Sequence, residues 1–210
     1  MIAAVVPVKG LASSKSRLLP HLGRETVERL AIAMLCDVIT ALRAVSELER
    51  VAVVTPDARV AETAEKAGAL PLLRRYPDLN TALDGSAAEL ARRPDDACLV
   101  VLGDVAGVAP GDVEVLIRAL EEPGVALAPS SDGGTSALLR SPWNTIGAGF
   151  GPGSAAVHRA RAQAAGVPYI EVELPSLAID IDLPADIAAA LSSTDSTLGA
   201  RTRAVLEMLP

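Results

Sequence analysis

Short apolar runs alternate with segments of helical periodicity along most of this chain, and this alternation restricts its fold more than any other feature. Apolar runs of strand length lie at 2–8, 51–55, 69–73, 97–102 and 124–128. Between them, apolar residues recur at three- and four-residue steps, as Val27, Leu30, Met34 and Val38 do. Strands separated by helices pair in parallel through right-handed crossovers. We therefore predict an α/β chain with three layers and a mostly parallel central sheet.

Turn and capping signals set the predicted element boundaries. Helices are predicted over 25–42, 57–67, 80–92, 110–120 and 154–165, with two more near the C-terminal end. Asp57 is the predicted N-cap of the second helix, and Gly68 ends it. Later in the chain, a short strand near 135–140 precedes a loop that contains Gly147, Gly149, Gly151 and Gly153, and a further strand is predicted at 167–173 after the helix over 154–165. A loop of this composition is typical of a functional segment.

Composition and charge disfavour several functional classes. The 210 residues are half hydrophobic, which suffices for one buried core, and we predict a single domain over 1–210. A formal net charge of −7 and only four aromatic residues disfavour nucleic acid as a partner, because nucleic-acid proteins usually need a basic surface or stacking platforms. No apolar run of the sequence is long enough to span a membrane. The hydrophobic composition is compatible with a homodimer.

The cysteines and the N-terminal segment indicate the compartment. Cys36 and Cys98 lie in apolar runs on different predicted elements and have no partner at metal-ligand spacing, so reduced, buried thiols are expected. The N-terminal apolar run follows no basic segment and ends at Lys9, which disfavours a signal peptide. We therefore expect a cytoplasmic protein.

A basic loop follows the first predicted strand. Its residues include Pro7, Val8, Lys9, Gly10, Lys15 and Arg17. In open α/β sheets, ligands bind beyond the carboxyl ends of strands, so this loop is well placed for phosphate groups. It fits neither the dinucleotide fingerprint nor the Walker P-loop. Lys9, Lys15 and Arg17 would supply positive charge to a triphosphate, and a solvated basic turn is the alternative.

Aspartates from two distant segments are the candidate metal ligands. Asp104 follows the fourth predicted strand after Gly103, which places its carboxylate at the same sheet edge as the basic loop. Asp180 and Asp182 are two residues apart, and on an extended segment this spacing directs both to one face. Carboxylates that converge on phosphates are what Mg²⁺ requires. For Asp182, the alternative is an N-cap of the helix that begins near Pro184.

Two glycine-containing turns, over 132–136 and 150–154, offer backbone amides and hydroxyls to an anion. The residues that we assign to substrate binding are Asp132, Gly133, Thr135, Gly151 and Ser154. Both turns fit a carboxylate or a phosphate, and ordinary turns with a serine cap are the alternative. His21 and His158 have no carboxylate or nucleophile at a suggestive spacing, so neither is assigned a catalytic role.

Together, these segments resemble one family, the 2-phospho-L-lactate (or phosphoenolpyruvate) guanylyltransferases of deazaflavin coenzyme biosynthesis. The resemblance extends over nearly the whole chain and rests on six motifs in the same order. They are Val6-Pro7-Val8-Lys9 with Lys15-Ser16-Arg17-Leu18 downstream, Leu79-Asn80 before Ala82-Leu83, Gly103-Asp104, Asp132-Gly133-Gly134-Thr135, Phe150-Gly151-Pro152-Gly153-Ser154, and Asp180-Ile181-Asp182. Each motif alone is weak, whereas six in order are specific.

The resemblance implies a Rossmann-like nucleotidyltransferase fold, similar to that of the molybdenum-cofactor guanylyltransferases. It implies that Asp104 and one aspartate of the 180–182 pair, with Asp182 preferred, bind Mg²⁺. On the nucleotide side it places Pro7, Val8, Lys9, Gly10, Lys15, Asn80 and Gly103. Against the phosphorylated acid it places Thr135, Gly151 and Ser154.

The implied reaction is attack by a substrate phosphate oxygen on the α-phosphorus of GTP, with release of pyrophosphate. The acceptor would be 2-phospho-L-lactate, phosphoenolpyruvate or phosphoglycerate. No general base is required, because a phosphate monoester has its second pKa near about 6 and is largely ionised at neutral pH. The alternatives are a guanylyl- or cytidylyltransferase for a pterin, sugar or alcohol acceptor, and a catalytically silent nucleotide-binding domain of the same fold.

Overall fold

A computed structural model describes residues 1–178, 181–192 and 198–209, and these residues build a seven-stranded sheet in the order β3-β2-β1-β4-β6-β5-β7. The strands are β1 (Ile2–Pro7), β2 (Leu48–Thr55), β3 (Leu70–Leu73), β4 (Ala97–Val101), β5 (Gly124–Pro129), β6 (Thr135–Ser141) and β7 (Tyr169–Glu171). The predicted α/β class with a mostly parallel sheet is confirmed. Its first four strands pair in parallel, so their carboxyl ends lie at one edge.

Strand β6 runs antiparallel to both of its neighbours, β4 and β5. The reason is the short turn between β5 and β6, which leaves no room for a crossover helix. In this turn, Ser130 N donates to Gly134 O at 3.2 Å, and Gly133 has a φ of +80°, a conformation that glycine adopts without strain. The reversal places the first residue of β6, Thr135, at the same edge as the carboxyl ends of the parallel strands.

Helices cover both faces of the sheet. They are α1 (Leu19–Leu22), α2 (Arg24–Arg43), α3 (Ala58–Lys66), α4 (Leu79–Leu90), α5 (Pro110–Arg118), α6 (Ser154–Ala165), α7 (Pro184–Ser192) and α8 (Ala200–Leu206), with short 3₁₀ turns at Leu11–Ser13 and Pro175–Leu177. Within the described ranges, no helix is both long and apolar enough to cross a membrane.

Alternate residues of β1 enter two different cores, which gives the three layers. Ala4 and Val6 pack with buried residues of α2, α3 and α5 on one face. Ala3 and Val5 pack with buried residues of α4 and α6 on the other. Because both faces are covered, the central strands are apolar throughout, as parallel strands usually are.

The C-terminal helices α7 and α8 pack on the outer face of α2. A third apolar cluster joins Val27, Leu30 and Met34 of α2 with Ile187 of α7 and Val205 of α8. Asp37 of α2 also accepts hydrogen bonds from the backbone N–H and the hydroxyl of Thr202, at 2.8 and 2.9 Å. Ile181, which precedes α7, belongs to the same cluster, and the next residue, Asp182, lies beside the basic loop with its Oδ1 atom 2.8 Å from Lys15 Nζ.

Candidate active site

The basic loop after β1 is fastened to the next βα unit by one carboxylate. Asp57 accepts hydrogen bonds from the backbone N–H of Arg59 at 2.9 Å and of Leu11 at 3.0 Å. Burial acts to raise the pKa of Asp57, but the N–H groups of Leu11 and Arg59 outweigh it, and the pKa lies below its usual value. The predicted N-cap of α3 is confirmed, and the same residue also positions the loop.

A cleft of about 750 Å³ opens at the carboxyl edge of the sheet. The predicted site residues that line it are Pro7, Val8, Lys9, Gly10, Lys15, Arg17, Gly103, Asp104 and Asp182. Lys9 and Arg17 are exposed, so their charges face the solvent side of the cleft. The structure adds Arg74 and Arg75, which follow β3 at the same edge and were not assigned a role from the sequence. Their position directly after a predicted strand is the signal that could have identified them.

Gly103 allows the basic loop to lie directly against the end of β4. A Cβ atom at this position would lie 2.7 Å from Cγ2 of Val8 and 3.1 Å from the carbonyl oxygen of Pro7. A side chain here would therefore push the loop away. The close approach brings Asp104 next to the loop that carries Lys15.

Asp104 and Asp182 converge on a single positive charge, the ammonium group of Lys15. The Lys15 Nζ atom lies 2.9 Å from Asp104 Oδ2 and 2.8 Å from Asp182 Oδ1. The Lys15 side chain is only 4% exposed, whereas those of Asp104 and Asp182 are 49% and 40% exposed. Lys15 also has a φ of +44°, a conformation that non-glycine residues rarely adopt and that often occurs at functional sites.

The donor set at this position fits a cation that is shared with a substrate. Within the described ranges, no three His, Cys, Asp or Glu side chains gather to hold a metal ion. Two carboxylates that already enclose one positive charge match Mg²⁺, which takes one or two carboxylates and completes its shell with phosphates and water. Metal binding by Asp104 and Asp182 stays a prediction, and Asp180 lies outside the described residues.

The alternative interpretation of Asp182 as a helix cap is not what the contacts show. The Asp182 side chain bonds to Lys15, and it is Asp186 that accepts hydrogen bonds from the backbone N–H groups of Asp182 and Leu183, at 2.9 and 2.6 Å. Asp186 thus braces the start of α7. The Asp182 carboxylate is left to face the cleft.

A second cavity of about 220 Å³ adjoins the cleft and shares Asp104 with it. Four of the five residues predicted to bind substrate line this cavity, and they are Asp132, Thr135, Gly151 and Ser154. The fifth, Gly133, forms the β5–β6 turn behind it. The hydroxyl of Ser130 and the N–H of Gly134 donate to Asp132 at 2.6 and 2.9 Å, and these bonds lower the pKa of its carboxyl.

Three buried side chains form a hydrogen-bonded chain behind the second cavity. Ser154 Oγ donates to Thr135 Oγ1 at 2.9 Å, and Thr135 Oγ1 lies 3.1 Å from Nδ1 of His158. His158 Nε2 accepts from the backbone N–H of Gly149 at 2.9 Å. Burial, followed by the charges of Arg161 and Arg140, lowers the pKa of His158 to about 4. No signal in the sequence points to His158, because its partners Thr135 and Gly149 are distant along the chain.

Asn80 lies outside the residues that line the large cleft. Its Nδ2 donates to the carbonyl oxygen of Phe150 at 3.1 Å, and its Oδ1 accepts from the Phe150 N–H at 2.7 Å. The amide therefore holds the glycine-rich loop in place at the wall of the second cavity. Nucleotide binding by Asn80 stays a prediction.

A parallel-edge cleft beside a basic loop and paired carboxylates is the architecture of a nucleotidyltransferase. Solved structures share this fold. A chain from Desulfovibrio desulfuricans superposes with a TM-score of 0.78 at 15% identity, covering 98% of this chain and 94% of that one. A nucleotidyl transferase from Methanothermobacter thermautotroptrophicus superposes with a TM-score of 0.65 at 18% identity, covering 90% and 95%.

Residues 2–199 match the family described as "Guanylyl transferase CofC like", and the chain belongs to this family. A phosphoenolpyruvate guanylyltransferase of Sphaerobacter thermophilus is 40% identical over 88% of this chain and 89% of its own length. A protein of the same name from Nocardia farcinica is 34% identical over 98% and 90%. The resemblance inferred from the six motifs is thereby confirmed, and the chain is a nucleotidyltransferase.

Proposed function

We propose that this enzyme transfers GMP from GTP to phosphoenolpyruvate or a related phosphorylated three-carbon acid, releases pyrophosphate, and uses Mg²⁺ held by Asp104 and Asp182. The large cleft takes GTP and the second cavity takes the acid. The relatives at 40% and 34% identity are named for phosphoenolpyruvate, which supports this acceptor. Phospholactate and phosphoglycerate differ from it by only a few atoms, so a test of the acceptor must include them.

The observation that carries the proposal is the position of Asp104, which lies in the wall of both cavities. Leu79 and Leu102 also line both cavities, so Asp104 supplies the charged group at their junction. Asp104 and Asp132 would repel an anionic acceptor in the second cavity, so a bridging cation is required there. The geometry around Lys15 Nζ supports a cation at this junction.

The chain itself contributes positioning and charge to the reaction. An ionised phosphate oxygen of the acceptor forms a bond to the α-phosphorus of GTP. The bond from this phosphorus to the oxygen that bridges the α- and β-phosphorus atoms breaks, and pyrophosphate leaves with the electron pair. Lys9 and Arg17 line the cleft and stabilise the negative charge on the triphosphate. Alignment of the two substrates supplies much of the remaining acceleration.

Mg²⁺ would neutralise charge on the phosphate oxygens of the two substrates when it is bound. Asp104 and Asp182 would hold it, and Lys15 would then be released from its place between them to pair with phosphate.

We also assign the enzyme to the cytoplasm, because Cys36 and Cys98 are both free thiols.

The decisive experiment measures pyrophosphate release across a matrix of four nucleoside triphosphates and five acceptors, with and without Mg²⁺. The acceptors are the three phospho-acids, a pterin and a sugar. We expect release only with GTP, with a phosphorylated three-carbon acid and with the metal, and with phosphoenolpyruvate as the preferred acceptor. Release with GTP and a pterin or sugar acceptor in place of the acids would show that the acceptor assignment is wrong.

The Asp104→Asn variant tests the junction. The substitution keeps the side-chain shape and removes the charge, so we expect transfer to fall by roughly 100-fold or more while the unfolding temperature stays near that of the parent. Asp95→Asn is the matched control, because Asp95 is exposed and its recorded partner is the exposed Arg93. Near-normal turnover in Asp104→Asn would count against the metal role.

A further inference from the structure

His158 of α6 is fully buried behind the second cavity and takes no part in the proposed transfer of GMP. Its ring contacts Thr135 of β6 and the N–H of Gly149, and its centroid lies 5.1 Å from that of the Phe150 ring in an edge-on arrangement. It stands directly behind Thr135, which lines the cavity. A buried imidazole at this place can control what the cavity wall offers to a ligand.

The contact with Gly149 fixes which ring nitrogen of His158 carries the proton. A backbone N–H can only donate, so Nε2 must present its lone pair to Gly149. A neutral imidazole with a bare Nε2 carries its proton on Nδ1. The Nδ1–H group therefore donates to the hydroxyl oxygen of Thr135.

This tautomer decides the hydrogen-bonding character of the Thr135–Ser154 pair. Thr135 Oγ1 accepts from His158 and from Ser154, which fills both of its lone pairs. The hydroxyl proton of Thr135 then has no acceptor among the three side chains Ser154, Thr135 and His158. If Thr135 donated to Ser154 instead, the spare proton would lie on Ser154. The pair of hydroxyls would therefore still have one proton to donate.

With the opposite tautomer the outcome would differ. Nδ1 would be an acceptor, Thr135 would donate to it, and Ser154 would donate to Thr135. Both hydroxyl protons would then be consumed, and the cavity wall would present only lone pairs. Such a wall would repel an ionised oxygen instead of binding it.

We propose that His158 is a positioning residue that keeps the Thr135–Ser154 hydroxyl pair as a proton donor, so that the second cavity selects an ionised oxygen of the acceptor. This inference rests on the proposed function for the assignment of the acceptor to the second cavity. Phosphorylated and carboxylated acids carry such an oxygen at neutral pH. A neutral alcohol or sugar hydroxyl at the same point would not exploit the donor to the same extent.

Burial, and after it the charges around His158, lower the pKa of its ring and keep it neutral. Arg161 of α6 and Arg140 of β6 disfavour a second proton, and Asp84 of α4 acts in the opposite direction but more weakly. With the pKa of His158 at about 4, the ring stays neutral throughout the pH range in which the enzyme would be assayed. A proton on Nε2 would also face the N–H of Gly149.

A matched pair of variants separates this role from simple packing. His158→Asn can place an N–H near the position of Nδ1 and loses the acceptor for Gly149. His158→Gln can place an acceptor near the position of Nε2 and loses the donor for Thr135. We expect the KM for the phospho-acid to rise roughly 10-fold or more in His158→Gln and clearly less in His158→Asn, with the KM for GTP unchanged in both. A purely structural role for His158 predicts the reverse order.

Two further measurements complete the test. Thr135→Val removes the donor and keeps the shape, so its KM for the phospho-acid should rise roughly 10- to 100-fold. Thr135→Ser keeps the hydroxyl, so its KM for the phospho-acid should rise less. The ¹⁵N chemical shifts of the two histidines, with His158 assigned by loss of its signals in His158→Gln, should show a proton on Nδ1 of His158.

The outcomes distinguish this inference from the proposed function. A proton on Nε2 of His158, or equal KM values in the two His158 variants, would overturn the inference even if GMP transfer proceeds. If the parent enzyme shows no transfer and no binding of phospho-acid, the proposed function fails, whatever the tautomer. A proton on Nδ1 together with the expected order of KM values supports both.

Discussion

At the scale of single residues, the contact geometry of Lys15 makes a prediction about metal binding. Its ammonium group lies within 2.9 Å of carboxylate oxygens on both Asp104 and Asp182. In Lys15→Met, this positive charge is removed and the two carboxylates repel each other unless another cation is present. We expect Mg²⁺ to raise the unfolding temperature of Lys15→Met by roughly 2–5 °C, and that of the parent by less.

Lys9→Met is the control for this measurement. Lys9 lies on the same loop but is exposed and has no recorded ion pair among the described residues. Its replacement should leave the Mg²⁺-dependent change in unfolding temperature as it is in the parent. An equal response of the parent and Lys15→Met would show that Mg²⁺ does not compete with Lys15 for these carboxylates.

Some site residues are more predictable from the sequence than others, and the difference has a physical cause. Asp104 and Lys15 follow strand ends, and strand ends of a parallel sheet meet at one edge whatever the details of the loops. The roles of His158 and Asn80 depend instead on which backbone groups happen to face them. Such contacts come from tertiary packing, and neither periodicity nor spacing encodes them.

At the scale of elements, Asp57 links the start of α3 to the basic loop, and the two functions can be separated. Asp57→Ala loses the cap and the bond to Leu11, so we expect a loss of about 1–2 kcal/mol in the free energy of unfolding and a KM for GTP raised roughly fivefold. Asp57→Ser keeps a capping oxygen but cannot serve Arg59 and Leu11 together. In Asp57→Ser, the free energy of unfolding should return most of the way to that of the parent, whereas the KM for GTP should stay raised.

Denaturant unfolding and steady-state kinetics on the two Asp57 variants measure these effects. If Asp57→Ser restores the KM for GTP along with the stability, then the bond to Leu11 contributes nothing to the loop, and the loop is held by other contacts. If neither variant changes the KM, the basic loop does not bind GTP in the conformation described.

Most elements were predictable because their signals are local. The bounds of α6 match the prediction at both ends, and Asp57 and Gly68 flank α3 as expected. The four-residue helix α1 was missed because so short a segment has no periodicity. The antiparallel direction of β6 was also not predicted. The direction of a strand follows from the length of the preceding turn, and the apolar pattern of a buried strand is the same for parallel and antiparallel pairing.

At the scale of the whole molecule, the prediction of one domain over 1–210 implies a single cooperative unfolding transition, and His158 sets part of its pH dependence. The pKa of His158 is about 4 in the folded chain, whereas an unperturbed histidine of the unfolded chain has a pKa of about 6.5. Between these values the unfolded chain binds the extra proton, so acidification favours unfolding. The free energy of unfolding should therefore fall as the pH decreases from about 6.5, by at most about 1.4 kcal/mol per pH unit from this residue.

The measurement is denaturant unfolding of the parent and of His158→Gln at several pH values between about 5 and 7. This window lies above the range in which aspartates with lowered pKa, such as Asp57 and Asp132, begin to contribute. His158→Gln lowers the stability overall but has no ring to titrate, so its stability should depend less steeply on pH. If the free energy of unfolding depends on pH equally in the parent and in His158→Gln, then the buried imidazole takes up a proton without unfolding. The fixed tautomer of His158, on which the donor role of Thr135 rests, would then be lost in mild acid.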